Sequence, residues 1–443
     1  MPLKAETILT ADDSAQATIE SQPLPFPLSI APAFQSEDTE GNSDFDEADT
    51  LPETIRNPAR TDFYRKVYCI LGLPVDAVTV DQATEKLQAF AAQGERCFLS
   101  TPNLNFLIGS RSDASFRDSV IRSDMSVADG MPLVWIARAL GIPVRERVAG
   151  SSLFERMREN DKFSLSVYFF GGPEGSAARA ADAVNSKSGC MKCVGHQYPG
   201  YGSVDEISRD EMIRKINECN PDFLVVAMGA KKGQAWIEHN LHRINAPVIS
   251  HLGAVVNFLA GKISRAPRWA QRSGLEWLWR IKEEPALWKR YFHDGTAFVT
   301  LLLSKVIPCV WHRHFHGISQ QRFKQSKVSL ERLRYACKIT LQGPWNETNL
   351  DKLRKALTEA VRVPSDIILD VYEVDYVDSA CIALFTLLYG HQSKAGQRIR
   401  FEGLTASVER AFKVHCVEFL LRTNQAQTFH KPQYRDEPSA TVL

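Results

Sequence analysis

The sequence predicts an α/β protein of two successive units, a parallel sheet wrapped by helices and then a smaller α/β unit. Three observations carry this. A chain of 443 residues with 44% apolar and 24% charged side chains has material for two hydrophobic cores. From about Thr61, helical patterns such as VDQATEKLQAFAAQ (Val80 to Gln93) alternate with apolar runs of four to seven residues, as strands joined by crossover helices do. After about Gln325 a second, shorter alternation of strand and helix patterns begins, about the size of one small domain.

In chain order, residues 1–60 hold 12 acidic and 3 basic side chains, a net of −9, with apolar residues that keep no period of 2 or 3.6 for long. Such a segment buries too little surface to offset the entropy of ordering, so a disordered acidic arm is expected. The rest of the chain carries +10, and the overall charge of +1 is a cancellation. That average excludes a uniformly basic nucleic-acid binder and an acidic disordered protein. The N-terminus lacks a basic stretch followed by an apolar run, so no secretory signal is expected.

Residues 61–260 form the first unit. Its apolar runs CFLSTPN, MSVADG, SVYFFGG, FLVVAMGA and PVISHLGA each end in small or polar turn residues. In open parallel sheets ligands bind outside the carboxyl ends of the strands, so chemistry is expected at these endings.

Residues 261–324 differ in texture, with a net charge of +8 and five of the eight tryptophans: Trp269, Trp277, Trp279, Trp288 and Trp311. Basic side chains interleaved with indoles suit an element lying on an anionic membrane surface. They equally suit a solvated basic helical face whose tryptophans pack on the domain, and composition leaves both open. The stretch Gly295 to Trp311 contains Lys305 and Pro308 and is slightly short for a bilayer, so a membrane-crossing helix is not expected.

Residues 325–430 form the second unit, with strands at Tyr335 to Leu341, Ile367 to Val374 and Arg398 to Gly403. Helices are expected at Thr348 to Val361, Ser379 to His391 and Ser407 to Phe412, and residues 431–443 are a tail. Nine cysteines, an odd number spread along the chain, fit a reducing compartment. Cys190 and Cys193 form a C-x-x-C with no second pair to complete four zinc ligands, so they read as two thiols at a strand start. No metal or cofactor is expected.

Two strand ends and one further stretch carry candidate chemistry. Asp129 ends a strand-like run in VADGMPLVW beside Gly130, where a carboxylate can act as general base, although an Asp-Gly pair is also an ordinary turn. Thr101 and Asn103 end the preceding strand, and a hydroxyl with an amide can orient a sugar or a phosphate. Arg147, in ERVAG, offers a planar fork suited to a diphosphate, or to a surface carboxylate such as Glu146.

These pieces, in this order, resemble the WecG/TagA/CpsF glycosyltransferases, glycosyltransferase family 26. The resemblance runs through TPNLNFLIGSR, SDMSVADGMPLVWIARALGIPVRERVAGSSLFERM, YFFGGPEGSAARAA, NPDFLVVAMGA, HLGAVVNFLAGKISRAPRW and GLEWLWRIKEEPALWKRYF, covering about Phe63 to Phe292. It implies a compact Rossmann-like unit with an appendage that helps close the site near the membrane. The implied activity is metal-independent and inverting, moving a sugar from a UDP-sugar to a polyprenyl-diphosphate-linked saccharide at the cytoplasmic face of the membrane.

Carried over by position, the resemblance makes Asp129 the general base, Thr101 its neighbour, and Asn103 and Arg147 pocket residues. Where many members carry Pro-Lys-Gln-Glu, this chain has Lys231, Lys232, Gly233 and Gln234, with Lys232 placed for phosphates and Gln234 for the uracil or ribose. Arg265, Arg268, Arg280, Lys289 and Arg290 become candidates for the diphosphate, supplying cationic charge against the departing UDP.

The second unit resembles a STAS domain through IILDVYEVDYVDSACIALFTLLYG, in which a strand ends in Asp-Ser and a helix begins. Ala380 and Cys381 stand where regulated members carry a phosphorylated Ser or Thr followed by Gly. Ser379 is therefore expected to be the N-cap, and the domain a docking module for a protein partner. The competing expectation for the whole chain is a nucleotide-sugar-binding scaffold that acts through this domain.

Overall fold

The computed structural model describes residues 62–160, 163–187, 189–315 and 318–422. The acidic arm expected over 1–60 and the tail over 431–443 lie outside these residues. The described chain begins with an antiparallel hairpin, β1 (Val67–Ile70) and β2 (Leu73–Asp76), turned by Leu71 and Gly72 at φ 47° and 99°. Two successive positive φ values match the twist of a two-residue hairpin. Gly72 has a second reason to be glycine, because a Cβ there would stand 2.9 Å from the carbonyl oxygen of Cys416 in the C-terminal domain. Helix Val80–Gln93 then follows with the bounds its periodicity predicts. Thr79 and Gln82 cap each other reciprocally at its start, and Gly94 in the left-handed region closes it.

Six parallel strands build the central sheet: β3 (Cys97–Ser100), β4 (Met125–Ser126), β5 (Leu165–Gly171), β6 (Met191–Gln197), β7 (Phe223–Ala227) and β8 (Val248–His251). Their order is β4-β3-β8-β7-β5-β6. The inner strands are buried on both faces, which is why they read as unbroken apolar runs. Leu99, Val167, Phe169 and Val225 enter one core, and Phe98, Phe170, Leu224 and Val226 enter the other. Cys190 precedes β6 and Cys193 lies within it, and neither is in a disulfide.

After the sheet come short helices Arg268–Ser273 and Glu276–Glu283, then helix Trp288–Leu301. That helix passes through a π turn, Leu302–Val306, into Ile307–Phe315. The span Trp288–Trp311 is thus a continuous 24-residue helix, long and apolar enough to cross a membrane by length and composition alone. It is longer than Pro308 suggests in the sequence. Proline lacks an N–H and crowds the carbonyl four residues back, and the wider turn just before it absorbs that conflict. One face of the helix meets the protein through Asp294, Leu301 and Val306, while Trp288, Phe292, Val299, Leu303, Ile307 and Trp311 face outward.

The C-terminal domain has strands β9 (Lys327–Arg332), β10 (Ala336–Trp345), β11 (Asp366–Val377) and β12 (Ile399–Glu402) in the order β12-β11-β10-β9, with β9 antiparallel to β10 and the other pairs parallel. Helices Leu350–Ala360, Ser379–Lys394 and Ala406–Val414 occupy the three expected places. The cap of Ser379–Lys394 differs from expectation. Asp378 is the N-cap, its Oδ1 accepting the Cys381 N–H at 2.8 Å, while the Ser379 hydroxyl donates to the Cys69 carbonyl at 3.0 Å. This helix is apolar nearly all round because it is covered on both sides, by its own sheet and by the β1–β2 hairpin. One continuous core therefore joins the hairpin, helices Leu104–Ser112, Ala114–Ile121 and Met131–Ala139, and the C-terminal domain.

Candidate active site

A cleft of about 790 Å³ opens at the carboxyl ends of β3, β4, β5, β7 and β8 and is bounded on its far side by helices Glu276–Glu283 and Trp288–Leu301. Its floor is set by backbone bonds between the strand ends. The Asp129 N–H donates to the Pro102 carbonyl at 2.8 Å, and the Val148 N–H donates to the Ala128 carbonyl at 2.9 Å. These bonds bring Thr101, Asn103, Asp129 and Arg147 to one wall. Asn103 also starts helix Leu104–Ser112, its Oδ1 accepting the Phe106 N–H at 3.2 Å.

Asp129 is the titratable centre. Burial pushes its carboxyl above the usual carboxylate range, against the opposing pull of the Arg147 guanidinium. Glu276 raises it further, and the Gly150 N–H, 3.4 Å from Oδ2, and Arg280 lower it. A carboxylate so placed is a stronger base than an exposed aspartate. Arg147 is ion-paired with Glu276, which ties the floor of the cleft to the appendage.

The appendage adds two more cations to the lining. The Arg280 guanidinium lies 5.5 Å from the centre of the Phe258 ring, and Arg290 lies 5.0 Å from that of Tyr291. Asp294, buried on the same helix, is raised by desolvation and hydrogen-bonded to Asn105. His251 ends β8 in the middle of the floor. Burial lowers its imidazole to about 4, so it is neutral near pH 7, and its Nε2 has no hydrogen-bond partner among the described residues.

Of the candidates named from sequence, Thr101, Asn103, Asp129, Arg147, Lys232, Arg280 and Arg290 line this cleft. Lys232 also donates to the Gly202 carbonyl. Three others stand elsewhere. Gln234 is 1% exposed beneath the floor, its Nε2 donating to Ser100 Oγ at 3.0 Å, which corrects the expectation of a contact to uracil or ribose. Arg265 is paired with Glu155 and donates to Ser152 Oγ at 2.8 Å, outside the lining. Lys289 is exposed, 6.0 Å from the Trp288 ring centre, and also outside it. The side chain of Arg268 lies outside the described residues.

Sequence reasoning missed Glu276 and Asp294. Asp294 left a signal, as an acid within the apolar helix Trp288–Leu301, whereas Glu276 was hidden among the cations around it. Among the described residues no three His, Cys, Asp or Glu side chains converge as a metal site.

The position of Asp129 has a measurable consequence. If it is the base, kcat rises with pH as its carboxyl loses its proton, at a pH above that of an ordinary aspartate. Arg147→Gln removes the main charge favouring the carboxylate, so the acid limb of the kcat profile is expected to move to higher pH. A limb that stays in place or moves down would separate Asp129 from that titration.

Comparison with known proteins places these features in a family. Residues 68–308 match the model of the "Glycosyl transferase WecG/TagA/CpsF family", and residues 328–421 match the "Mlab, STAS domain" model. Three similar curated proteins carry the name N-acetylglucosaminyldiphosphoundecaprenol N-acetyl-beta-D-mannosaminyltransferase. That of Bacillus spizizenii is 25% identical over 220 residues, 48% of this chain and 84% of the relative. That of Bacillus subtilis is 25% identical over 205 residues, 46% and 78% of the two chains. The Staphylococcus aureus MW2 protein is 23% identical over 224 residues, 50% and 85% of the two. The family match covers more than half of the chain, including the whole central sheet and the cleft at its carboxyl edge: this protein belongs to the WecG/TagA/CpsF family of glycosyltransferases and carries a STAS domain after it.

Proposed function

We propose that the chain transfers a sugar, with inversion, from a UDP-sugar to a polyprenyl-diphosphate-linked saccharide during synthesis of an exopolysaccharide or another envelope glycan. The observation that carries this reading is a half-buried, up-shifted Asp129 facing a cleft whose walls supply Arg147, Arg280 and Arg290. Asp129 takes the proton of the acceptor hydroxyl as that oxygen attacks the anomeric carbon. The bond from that carbon to the β-phosphate oxygen breaks, and UDP leaves with the electron pair. Fixed guanidinium groups and the Lys232 ammonium offset the charge that develops there.

The lipid side of the acceptor has a matching surface. An apolar groove of about 590 Å³, lined by Trp277, Ile281, Trp288, Tyr291, Phe292 and Val299, adjoins the cleft and shares Trp277 and Tyr291 with it. A polyprenyl chain leaving the cleft would pass there with its diphosphate beside Arg290. The outward stripe of helix Trp288–Trp311 continues the same apolar surface, which supports the reading of a protein that lies on the membrane, at its cytoplasmic face, with that helix in the interface. The +8 charge of residues 261–324 favours anionic lipid.

The relatives' shared name suggests the substrates to try first, UDP-N-acetylmannosamine with undecaprenyl-diphosphate-N-acetylglucosamine, followed by other UDP-sugars. Transfer of label into the lipid fraction is expected with one donor. The second reading is a binding scaffold, favoured by the altered residues Lys231 to Gln234, which form the first turn of helix Ala230–Asn240 and in which Gln234 is withdrawn from the cleft. UDP binding without transfer to any lipid acceptor would decide for that scaffold.

A further inference from the structure

The strand that leads to Asp129 has little support from the sheet. β4 is two residues long and lies at the edge, paired only with β3 through Leu99 with Met125 and Ser100 with Ser126. The Val127 N–H donates to the Ser100 carbonyl, whereas the Ser126 N–H points to the open side. A buried carboxylate meets it there. Asp76, at the end of β2 and 3% exposed, accepts the Ser126 N–H at 2.8 Å and is held by Arg65 at 2.6 and 3.0 Å. Asp76 thus stands where a neighbouring strand would otherwise bond to β4.

The hairpin that carries Asp76 rests on the STAS helix Ser379–Lys394, with Ser379 Oγ on the Cys69 carbonyl. The far end of the same helix holds the segment leading into β4. Tyr389 Oη donates to Asp118 Oδ2 at 2.9 Å, and Lys394 Nζ is 3.1 Å from Asp124 Oδ1. Gly390 lies so close that a Cβ would stand 3.0 Å from the Ile121 carbonyl oxygen. Asp124 in turn accepts the Phe98 N–H at the start of β3. Both outside supports of the catalytic strand therefore lead to one helix of the other domain.

We propose that the STAS domain is a built-in support of the active site: helix Ser379–Lys394 docks on this chain's own transferase domain, fixes β2 and β4, and so positions Asp129. The face around Ser379 is occupied by the hairpin and is not open to a separate protein. Tyr389, Gly390 and Lys394 act as positioning residues, through β4. The proposal rests on Asp129 as the base, and its test is chosen to fail separately from that reading.

Two full-length variants probe the seam from different directions. Gly390→Leu inserts a wedge, and Tyr389→Phe with Lys394→Met removes the links to Asp118 and Asp124 at nearly constant volume, leaving the bond from Arg122 to Ser393 Oγ in place. Amide hydrogen exchange is expected to accelerate about tenfold or more across Met125 to Gly130, with β5 and β7 unchanged. In the transfer assay kcat is expected to fall about 10- to 100-fold, with the donor KM within about twofold and the acid limb displaced. Lys394→Arg, which keeps the ion pair, is expected to retain kcat.

Exchange that is unchanged at Met125 to Gly130, or raised equally over the whole sheet, would overturn the proposal. So would a normal kcat and pH profile in variants whose β4 exchange has risen, provided Asp129→Asn is inactive in the same assay. Full activity of Asp129→Asn would instead remove Asp129 as the base, while the exchange data would still decide whether the STAS domain supports β4.

Discussion

Replacing Asp129 with Asn is expected to lower kcat for sugar transfer by about 10²- to 10⁴-fold, the range for loss of a positioned general base. The substitution keeps the side chain's size and one oxygen able to accept the Gly150 N–H, so the floor between β3 and β4 should hold its shape. UDP affinity is expected to change little, because the cationic groups proposed for the diphosphate are untouched. Loss of binding together with turnover would point to a collapsed site rather than a missing base, and calorimetric titration with UDP separates the two. Undiminished transfer by the variant would take Asp129 out of the mechanism.

The second large effect concerns the membrane. Trp288, Phe292, Leu303 and Trp311 are between 53% and 69% exposed, so replacing all four with Ser should leave the fold intact. Each buried apolar side chain of this size contributes about 1.5–3 kcal/mol. Partial immersion of four is therefore enough for a loss of at least about 100-fold in partitioning onto anionic vesicles. Sedimentation with vesicles measures it, and raised salt should weaken the wild type further by screening the basic tract. Equal sedimentation of wild type and variant would exclude this helix as the contact surface.

Much of the fold was legible because buried parallel strands announce themselves. The runs that became β3, β5, β7 and β8 are apolar on both faces, and Val80–Gln93 carries its capping box in plain sequence. β9 escaped because it is an edge strand whose residues alternate in exposure and are half charged, leaving only Val328 and Leu330 to mark an inner face. The reach of the Trp-rich helix was hidden by Pro308, since the π turn that accommodates it has no signature in the residues themselves.

In the site, strand ends could be located and their surroundings could not. Thr101, Asn103 and Asp129 follow apolar runs, so their convergence came from topology. Gln234 shows the limit of reading by alignment. Helix Ala230–Asn240 begins directly after Gly229, which turns position 234 inward onto Ser100 while Lys232 stays at the cleft. Glu276 illustrates the complement, since counting charges within residues 261–324 cannot tell that this acid is paired outside the tract, with Arg147 beside Asp129.

The core that runs from the hairpin into the C-terminal domain has a consequence for how such a chain can change over time. A domain joined by a linker can be lost, exchanged or moved to another gene with little effect on what it leaves behind. Here Cys69, Ile70, Leu384 and Phe385 belong to the same apolar interior, so separating the parts near residue 325 would open a hydrophobic wound on both. Cutting this chain near residue 325 is therefore expected to destabilise both parts rather than release two independent domains.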